Sequence, residues 1–127
     1  MTPAPTPSNV LTERVIGCAY RVKTALGHGF VEKVYENALA HELSKTDLHI
    51  ERQYRMTVHY DGVSVGEFAA DFMVNDSLIV EIKAVATLDK AHRAQCLNYL
   101  KASGRKLGLL INFGAPEIEI RRIANGL

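Results

Sequence analysis

Two acidic residues and a lysine lie close to a turn between apolar, strand-like segments. Asp71 precedes the turn Asn75-Asp76-Ser77, and Glu81-Ile82-Lys83 follows it. Charged side chains on otherwise apolar strands cost stability unless a ligand or a counter-charge compensates them. Hard divalent cations such as Mg²⁺ and Mn²⁺ prefer carboxylate oxygens, and a neighbouring lysine can contact a phosphate or orient a water molecule. These residues therefore indicate metal-dependent phosphate-ester chemistry.

The length of this turn predicts which side chains meet. Side chains alternate along a strand, so Glu81 and Lys83 share one face. A three-residue loop pairs Val74 with Leu78, and Asp71 then lies opposite Glu81. Directly opposed residues have Cβ atoms roughly 4.5–5.5 Å apart, where like charges are destabilising. A bound cation would convert that repulsion into coordination.

A purely structural explanation of the same charges is also available. Asp61-Gly62 is a strong signal for a two-residue hairpin. Its simple register places Arg52 opposite Asp71, on the side away from Glu81. A network of Arg52, Asp71, Glu81 and Lys83 would then neutralise itself without a ligand.

The surrounding sequence changes from helical to strand-like periodicity. Ser8 or Asn9 can cap a first helix that ends at Gly27-His28-Gly29, and Thr87 can cap the third helix. The second and third helices are predicted over residues 30–44 and 88–103, and the strands over residues 52–60, 63–74, 78–84, 107–113 and 117–122. The order α-α-β-β-β-α-β-β predicts an α/β sandwich around a mixed sheet.

Composition sets the outer limits of this interpretation. A length of 127 residues, 47% apolar and 23% charged, predicts one domain over residues 9–127, after a proline-rich, disordered lead over residues 1–8. A net charge of +1 requires that any basic nucleic-acid surface be concentrated on one face. Two cysteines without a C-x-x-C pair favour a reducing compartment, and no stretch is long enough to span a bilayer. We therefore expect a cytoplasmic protein.

Four segments in order resemble the PD-(D/E)xK nuclease superfamily, and within it the family named for the motif GxxExxY. Residues 29–35 form that motif, with Glu32 at its acidic position. Asp71 and Glu81-Ile82-Lys83 match the metal-binding core of the superfamily, although Ala70 stands where its name has proline. Residues 95–99 resemble its Q-x-x-x-Y motif, and residues 108–114 resemble a further segment of the family.

The resemblance implies a restriction-endonuclease-like α/β/α sandwich with a central mixed β-sheet and a nuclease that uses Mg²⁺ or Mn²⁺. The implied metal ligands are the side chains of Asp71, Glu81 and Glu32 and the backbone carbonyl of Ile82. Lys83 would position the attacking water or steady the scissile phosphate, and Gln95 would face the catalytic centre. The alternative for Glu32 is an acid favoured by the N-terminus of its helix.

Candidate contacts to nucleic acid lie on the third helix. Lys90, Arg93 and Lys101 fall near one helical face and could bind phosphates, although an ordinary solvated face fits equally well. Tyr99 either touches the nucleic-acid backbone or packs in the core. DNA is expected rather than RNA, with a structured or repair substrate as the candidate target, and a homodimer is a further hypothesis. The alternative function is a non-catalytic module that keeps the fold and binds nucleic acid or a protein.

Two residues of the GxxExxY segment have open roles. Packing is the expected role of the Tyr35 ring, and Glu36 either supports the site from behind its ligands or is a surface charge. Cys18 and Cys96 are expected to be core residues rather than nucleophiles.

Overall fold

In the computed structural model, which describes residues 8–126, three helices pack against a five-stranded sheet. The helices are α1 (Ser8–Leu26), α2 (Glu32–Ser44) and α3 (Lys90–Ser103). The strands are β1 (Ile50–Tyr60), β2 (Val63–Val74), β3 (Leu78–Lys83), β4 (Leu107–Asn112) and β5 (Glu119–Ala124). The predicted α/β fold and its order of elements are confirmed. Residues 1–7 of the expected disordered lead lie outside the described residues, and Ser8 begins α1.

The sheet is mixed because one of its connections is a helical crossover. Its strands follow the order β1-β2-β3-β4-β5, and only β3 and β4, which α3 connects, run parallel. Apolar side chains of α1 and α2 pack on one face of the sheet, against Phe72, Ile82 and Ile111 among others. Those of α3 pack on the other face, near Met73 and Leu110. The sheet therefore lies between two helical layers, as the predicted sandwich requires.

The turn between β2 and β3 has the predicted register. Val74 pairs with Leu78, and the ladder extends only to Phe72 paired with Val80. Asn75 and Asp76 adopt φ values of 51° and 53°, a left-handed conformation that Asn and Asp tolerate better than most residues. Because β2 continues far beyond this short ladder, no strand of residues 8–126 lies at the side of most of the β1–β2 hairpin.

The first hairpin departs from the simple register. Asp61-Gly62 forms its turn as predicted, but a β-bulge with Val65 as the extra residue shifts the pairing by one position. Arg52 is consequently paired with Phe72. The predicted pairing of Arg52 with Asp71 is therefore wrong.

Two helix starts also differ from the prediction. The second helix begins at Glu32 rather than at residue 30. The cap of α3 is Asp89, not Thr87: the Asp89 carboxylate accepts from the backbone N–H of His92, and the His92 ring accepts from that of Asp89. Within residues 8–126, no helix is long and apolar enough to cross a membrane.

Candidate active site

The candidate acids lie at the place where β2 and β3 separate. The backbone N–H of Asp71 donates to Oε1 of Glu81 over 2.8 Å, and the N–H of Ile82 donates to Oδ2 of Asp71 over 2.8 Å. Each carboxylate thus occupies a place that a backbone carbonyl would hold in a regular ladder. The structure brings Asp71 and Glu81 together, as the loop length predicts.

Burial of both acids disfavours their charged forms. Burial raises the pKa of Glu81 to about 8, and the negative charge of Asp71 adds to the effect. The pKa of Asp71 is also raised, first by burial, while the hydrogen bond from the Ile82 amide opposes the rise. A cation bound between them would stabilise both ionised carboxylates.

Lys83 ends β3 on the same side as Glu81. Its Nζ donates a hydrogen bond of 2.7 Å to Oε1 of Gln95 on α3. Both side chains are half-buried, so they remain open to solvent on one side. The structure therefore joins two of the predicted catalytic residues directly.

The backbone after Lys83 is held by the end of β4. The side chain of Asn112 accepts from the N–H of Val85 and donates to its carbonyl, both over 2.9 Å. Gly114 leaves no room for a side chain, because an added Cβ would lie 2.4 Å from the Val85 nitrogen. These contacts fix the direction in which Lys83 leaves the sheet.

Tyr35 of the GxxExxY segment is a packing residue that also forms hydrogen bonds to the loop before α2. Its ring is fully buried and stacks on Phe113 with centroids 4.8 Å apart. Its hydroxyl donates to the Gly27 carbonyl over 2.8 Å and accepts from the Phe30 N–H over 3.3 Å. Tyr35 thereby holds the loop that leads to Glu32.

Glu32 lies at the rim of the site, as the first residue of α2. Its side chain is exposed, yet partial desolvation raises its pKa, with the charge of Lys83 opposing and those of Asp71 and Glu36 adding. The charges of the site therefore influence the pKa of Glu32, although Glu32 makes no hydrogen bond to Asp71 or Glu81 among the described residues. Within residues 8–126, no three His, Cys, Asp or Glu side chains are arranged to hold a metal ion.

Glu36 is the acid whose role the sequence left open, and it is buried. Its carboxylate accepts from Arg52 over 2.7 Å and from Lys33 over 3.2 Å. Burial would raise the pKa of Glu36, but the hydrogen bonds from Arg52, Lys33 and Gln53 outweigh it and lower the pKa. Arg52 thus neutralises Glu36 rather than Asp71.

Gln53 is a residue that the sequence reasoning missed. Its Nε2 lies 3.2 Å from Oε2 of Glu36 and 3.3 Å from Oδ1 of Asp71, and it joins the two acids. Its φ of 51° is unusual for a non-glycine residue inside a strand, and such conformations concentrate at functional sites. Gly66 is the sequence signal that could have predicted the position of Gln53, because a glycine inside a strand often marks a bulge. A one-residue bulge places Gln53, not Arg52, opposite Asp71.

Two of the basic residues of α3 border different depressions. Lys101 borders a depression beside the β1–β2 hairpin, whereas Arg93 lines another depression together with Arg122 of β5. Lys90 is exposed at the start of the helix. Tyr99 is buried except for 8% of its surface and lines a depression together with Gln95.

The cysteines are core residues, as expected. Cys18 and Cys96 are both fully buried. Burial raises the pKa of the Cys96 thiol to about 12, so it is protonated at neutral pH. A thiol in that state is a poor nucleophile.

The order of helices and strands matches that of a nuclease fold. Residues 9–123 match the family model of the PD-(D/E)XK nuclease superfamily, and the chain belongs to that superfamily. Nucleases of this superfamily generally use divalent metal ions. The narrower assignment to the GxxExxY family stays a prediction.

A solved structure with a similar fold is the crystal structure of SSO0001. The similarity has a TM-score of 0.60 and 20% sequence identity, and it covers 75% of this chain and 50% of that one. The aligned region thus spans half of the length of SSO0001, and at this identity the likeness concerns the fold alone. A search of curated proteins returns no match.

Proposed function

We propose that this chain is a divalent-metal-dependent nuclease that hydrolyses phosphodiester bonds, in DNA rather than RNA. The observation that carries the proposal is the buried pair of Asp71 and Glu81, with Lys83 on the same side of β3 as Glu81. Two adjacent buried acids with raised pKa values are costly in a protein that uses them only for structure.

The donor atoms fit a hard cation such as Mg²⁺ or Mn²⁺. A carboxylate has about four lone-pair sites, so Asp71 and Glu81 retain acceptor capacity beyond their hydrogen bonds to the backbone. The Ile82 carbonyl would add a third oxygen, and Glu32 at the rim would add a fourth, directly or through water. When bound there, the metal would polarise the phosphate and lower the pKa of a bound water.

The remaining side chains would act on the phosphate and on the ligands. The Lys83 ammonium would donate to a non-bridging phosphate oxygen or hold the attacking water, and Gln95 would fix its direction. Gln53 would hold Asp71 in place, and Glu36 would hold Gln53. This division gives Lys83 the contact with substrate and leaves Gln53 as a positioning residue.

A second candidate function is a binding module that keeps the fold without catalysis. The observation in its favour is that one oxygen of each acid already accepts a hydrogen bond from a backbone amide. This alternative predicts nucleic-acid binding without metal-dependent cleavage.

Cleavage assays with matched variants separate the two functions. The substrates are branched, single-stranded and duplex DNA, and RNA, with Mg²⁺, Mn²⁺ or a chelator. Asp71→Asn is preferable to alanine because its side-chain oxygen can still accept from the Ile82 amide. Lys83→Met is matched by Lys45→Met, which removes an exposed lysine at the end of α2.

The nuclease proposal expects metal-dependent cleavage that both site variants reduce by about 100-fold or more, and that Lys45→Met leaves unchanged. Calorimetry should show that Asp71→Asn weakens metal binding. Absence of cleavage on every substrate, together with absence of metal binding, would leave the non-catalytic module as the better description.

A homodimer would place two such sites on two strands, because a domain of this size covers little duplex DNA. Sedimentation with and without DNA tests this part of the proposal. A strict monomer in both conditions would contradict it.

A further inference from the structure

A groove lies between the β1–β2 hairpin and α3, next to the candidate site. We call it the hairpin groove, and it consists of two adjoining cavities of about 320 Å³ and about 530 Å³. Both cavities are lined by Phe68 of β2 and Asn98 of α3. The smaller one also has Gln95 and Tyr99 in its wall, and the larger one has Lys101.

An exposed aromatic ring forms the apolar wall of this groove. Phe68 is 44% exposed, and its ring centroid lies 5.8 Å from that of Tyr99 with the planes inclined at 45°. The buried Tyr99 packs beside Phe68, and the exposed part of Phe68 lines both cavities. Nucleobases stack on such exposed aromatic rings because every base has a π-face.

The polar lining complements a polyanion. Lys101 and His59 line the outer cavity, and the amides of Asn98 and Gln95 offer donors and acceptors to base edges. Among the described residues, no Asp or Glu lines either cavity. The groove therefore combines a stacking surface with positive charge, as grooves that follow single strands do.

The groove is continuous with the candidate site through one residue. Gln95 lines the inner cavity and also accepts the hydrogen bond from Lys83. A nucleic-acid strand with a phosphate at Lys83 would thus extend past Gln95 towards Phe68 and Lys101. In a duplex the base faces are already stacked on their neighbours, so only an unpaired base can use the Phe68 ring.

We propose that the hairpin groove binds single-stranded nucleic acid next to the scissile phosphate, with an unpaired base on Phe68 and a backbone phosphate at Lys101. This inference rests on the proposed nuclease function and specifies its substrate class. The substrate is then a single strand, or a duplex with a frayed or branched end.

The test measures binding without metal, so that cleavage plays no part in it. Fluorescence anisotropy compares a labelled oligothymidine with a blunt duplex of equal length, in buffer with a chelator. The variants are Phe68→Leu, which keeps apolar packing but removes the flat ring, and Lys101→Met. Tyr60→Leu is the matched control, because Tyr60 is a 75% exposed aromatic of the same hairpin that does not line the groove.

The wild type should bind the single strand more tightly than the duplex. Phe68→Leu should weaken single-strand binding about 5- to 150-fold, the range that corresponds to loss of one base–aromatic stack. Lys101→Met should reduce the slope of log affinity against log salt concentration by about 0.7, the value for one phosphate contact on a single strand. Tyr60→Leu should match the wild type, and circular dichroism should show all variants folded.

Two results would overturn the inference. One is single-strand binding that Phe68→Leu does not weaken, whether or not the duplex binds equally well. The other is a protein dimer in sedimentation that Phe68→Leu dissociates and the oligothymidine does not, which would assign the groove to a second copy of the chain. Phe68-dependent binding without any cleavage would refute the nuclease alone, whereas cleavage with Phe68-independent binding would refute the groove alone.

Discussion

The backbone amide of Asp71 donates a 2.8 Å hydrogen bond to the side chain of Glu81, not to a carbonyl of the neighbouring strand. Ile82 returns a bond of the same length to the side chain of Asp71. The regular ladder between β2 and β3 ends at this point, and the two carboxylates accept the hydrogen bonds that backbone carbonyls would otherwise accept. The two acids of the candidate site therefore form the last hydrogen bonds between β2 and β3 before the strands separate.

The first prediction concerns Glu81 and pH. Its pKa of about 8 in the folded protein exceeds the ordinary value of 4.5, so folding takes up a proton between these two pH values. Stability conferred by the protonated carboxyl is present in full below the lower value and is lost as the pH rises through the upper one. In metal-free buffer, the free energy of unfolding should therefore fall across this window.

Glu81→Gln should remove part of that pH dependence, because the amide keeps an oxygen for the Asp71 N–H but does not ionise. Urea unfolding of both proteins, at several pH values across the window, measures the effect. The variant should gain stability relative to the wild type as the pH rises. Parallel pH profiles for the two proteins would show that Glu81 does not titrate in this range.

The second prediction concerns the left-handed backbone at Gln53. Glycine adopts φ near 51° without the penalty of about 1 kcal/mol that other residues incur, but it lacks the amide that bonds Glu36 and Asp71. Gln53→Gly should thus change the free energy of unfolding by less than about 1 kcal/mol, since the two effects oppose each other. Nuclease activity should fall, because Asp71 loses its support.

Asp61→Gly is the control for this variant, because Asp61 has φ of 53° at the hairpin turn and lies outside the site. It should keep wild-type cleavage in the same assay. If Gln53→Gly cleaves like Asp61→Gly, Gln53 has no positioning role.

The contrast between the two hairpins shows what the sequence could predict about the site. The turn at residues 75–77 determined the register because no irregularity intervenes before the acids. In the first hairpin, the bulge at Val65 lies between the turn and Arg52 and shifts every pair beyond it. A bulge depends on packing and twist as well as on local sequence, so the register beyond it could not be obtained by counting.

The third prediction concerns the pairing of Arg52 with Glu36. The Glu36 side chain is only 5% exposed, so Arg52→Ala would leave a buried carboxylate without its 2.7 Å partner. The ring of Phe72 would also lose the guanidinium that lies 5.8 Å from its centroid. Because Arg52 itself is partly exposed, we expect a loss of about 1–3 kcal/mol in the free energy of unfolding.

Glu36→Gln in the Arg52→Ala background should recover part of that loss, because a neutral amide needs no counter-charge. Chemical denaturation of the two single variants and the double variant gives their coupling energy, expected at about 0.5–3 kcal/mol. Strictly additive effects would mean that the pair contributes nothing specific.

The fourth prediction compares two glycines. A Cβ on Gly114 would approach backbone atoms of Ala84 and Val85 to 2.4–2.5 Å, so Gly114→Ala must displace the segment that follows Lys83. We expect it to destabilise the protein by about 2–3 kcal/mol. Gly17 lies inside α1, where an added Cβ meets its nearest atom at 3.9 Å, and Gly17→Ala should stabilise by up to about 1 kcal/mol.

Thermal unfolding of the two variants tests this comparison, with changes of opposite sign expected. A Gly114→Ala protein as stable as the wild type would show that the contact between the ends of β3 and β4 is loose. That result would also mean that this contact does not fix the direction of the backbone at Lys83.

The roles of the acids in α2 show a second limit of the sequence. Glu32 and Glu36 are one helical turn apart, and the GxxExxY pattern marks only the first of them. The structure buries Glu36 and leaves Glu32 exposed at the rim. Which of them is buried depends on where the β1–β2 hairpin crosses α2, and that is a long-range contact without a local signal.

The hydrogen bonds of Asp71 and Glu81 give these acids a structural role where β2 and β3 separate, in addition to any chemistry. A relative that had lost its chemistry would still need an oxygen acceptor at both positions to satisfy the two backbone amides. Lys83 has no such structural role, because within residues 8–126 its ammonium donates a hydrogen bond only to the Gln95 side chain. Replacement of Lys83 should therefore leave the hydrogen bonds between β2 and β3 intact, whereas replacement of either acid by a residue without an acceptor should not.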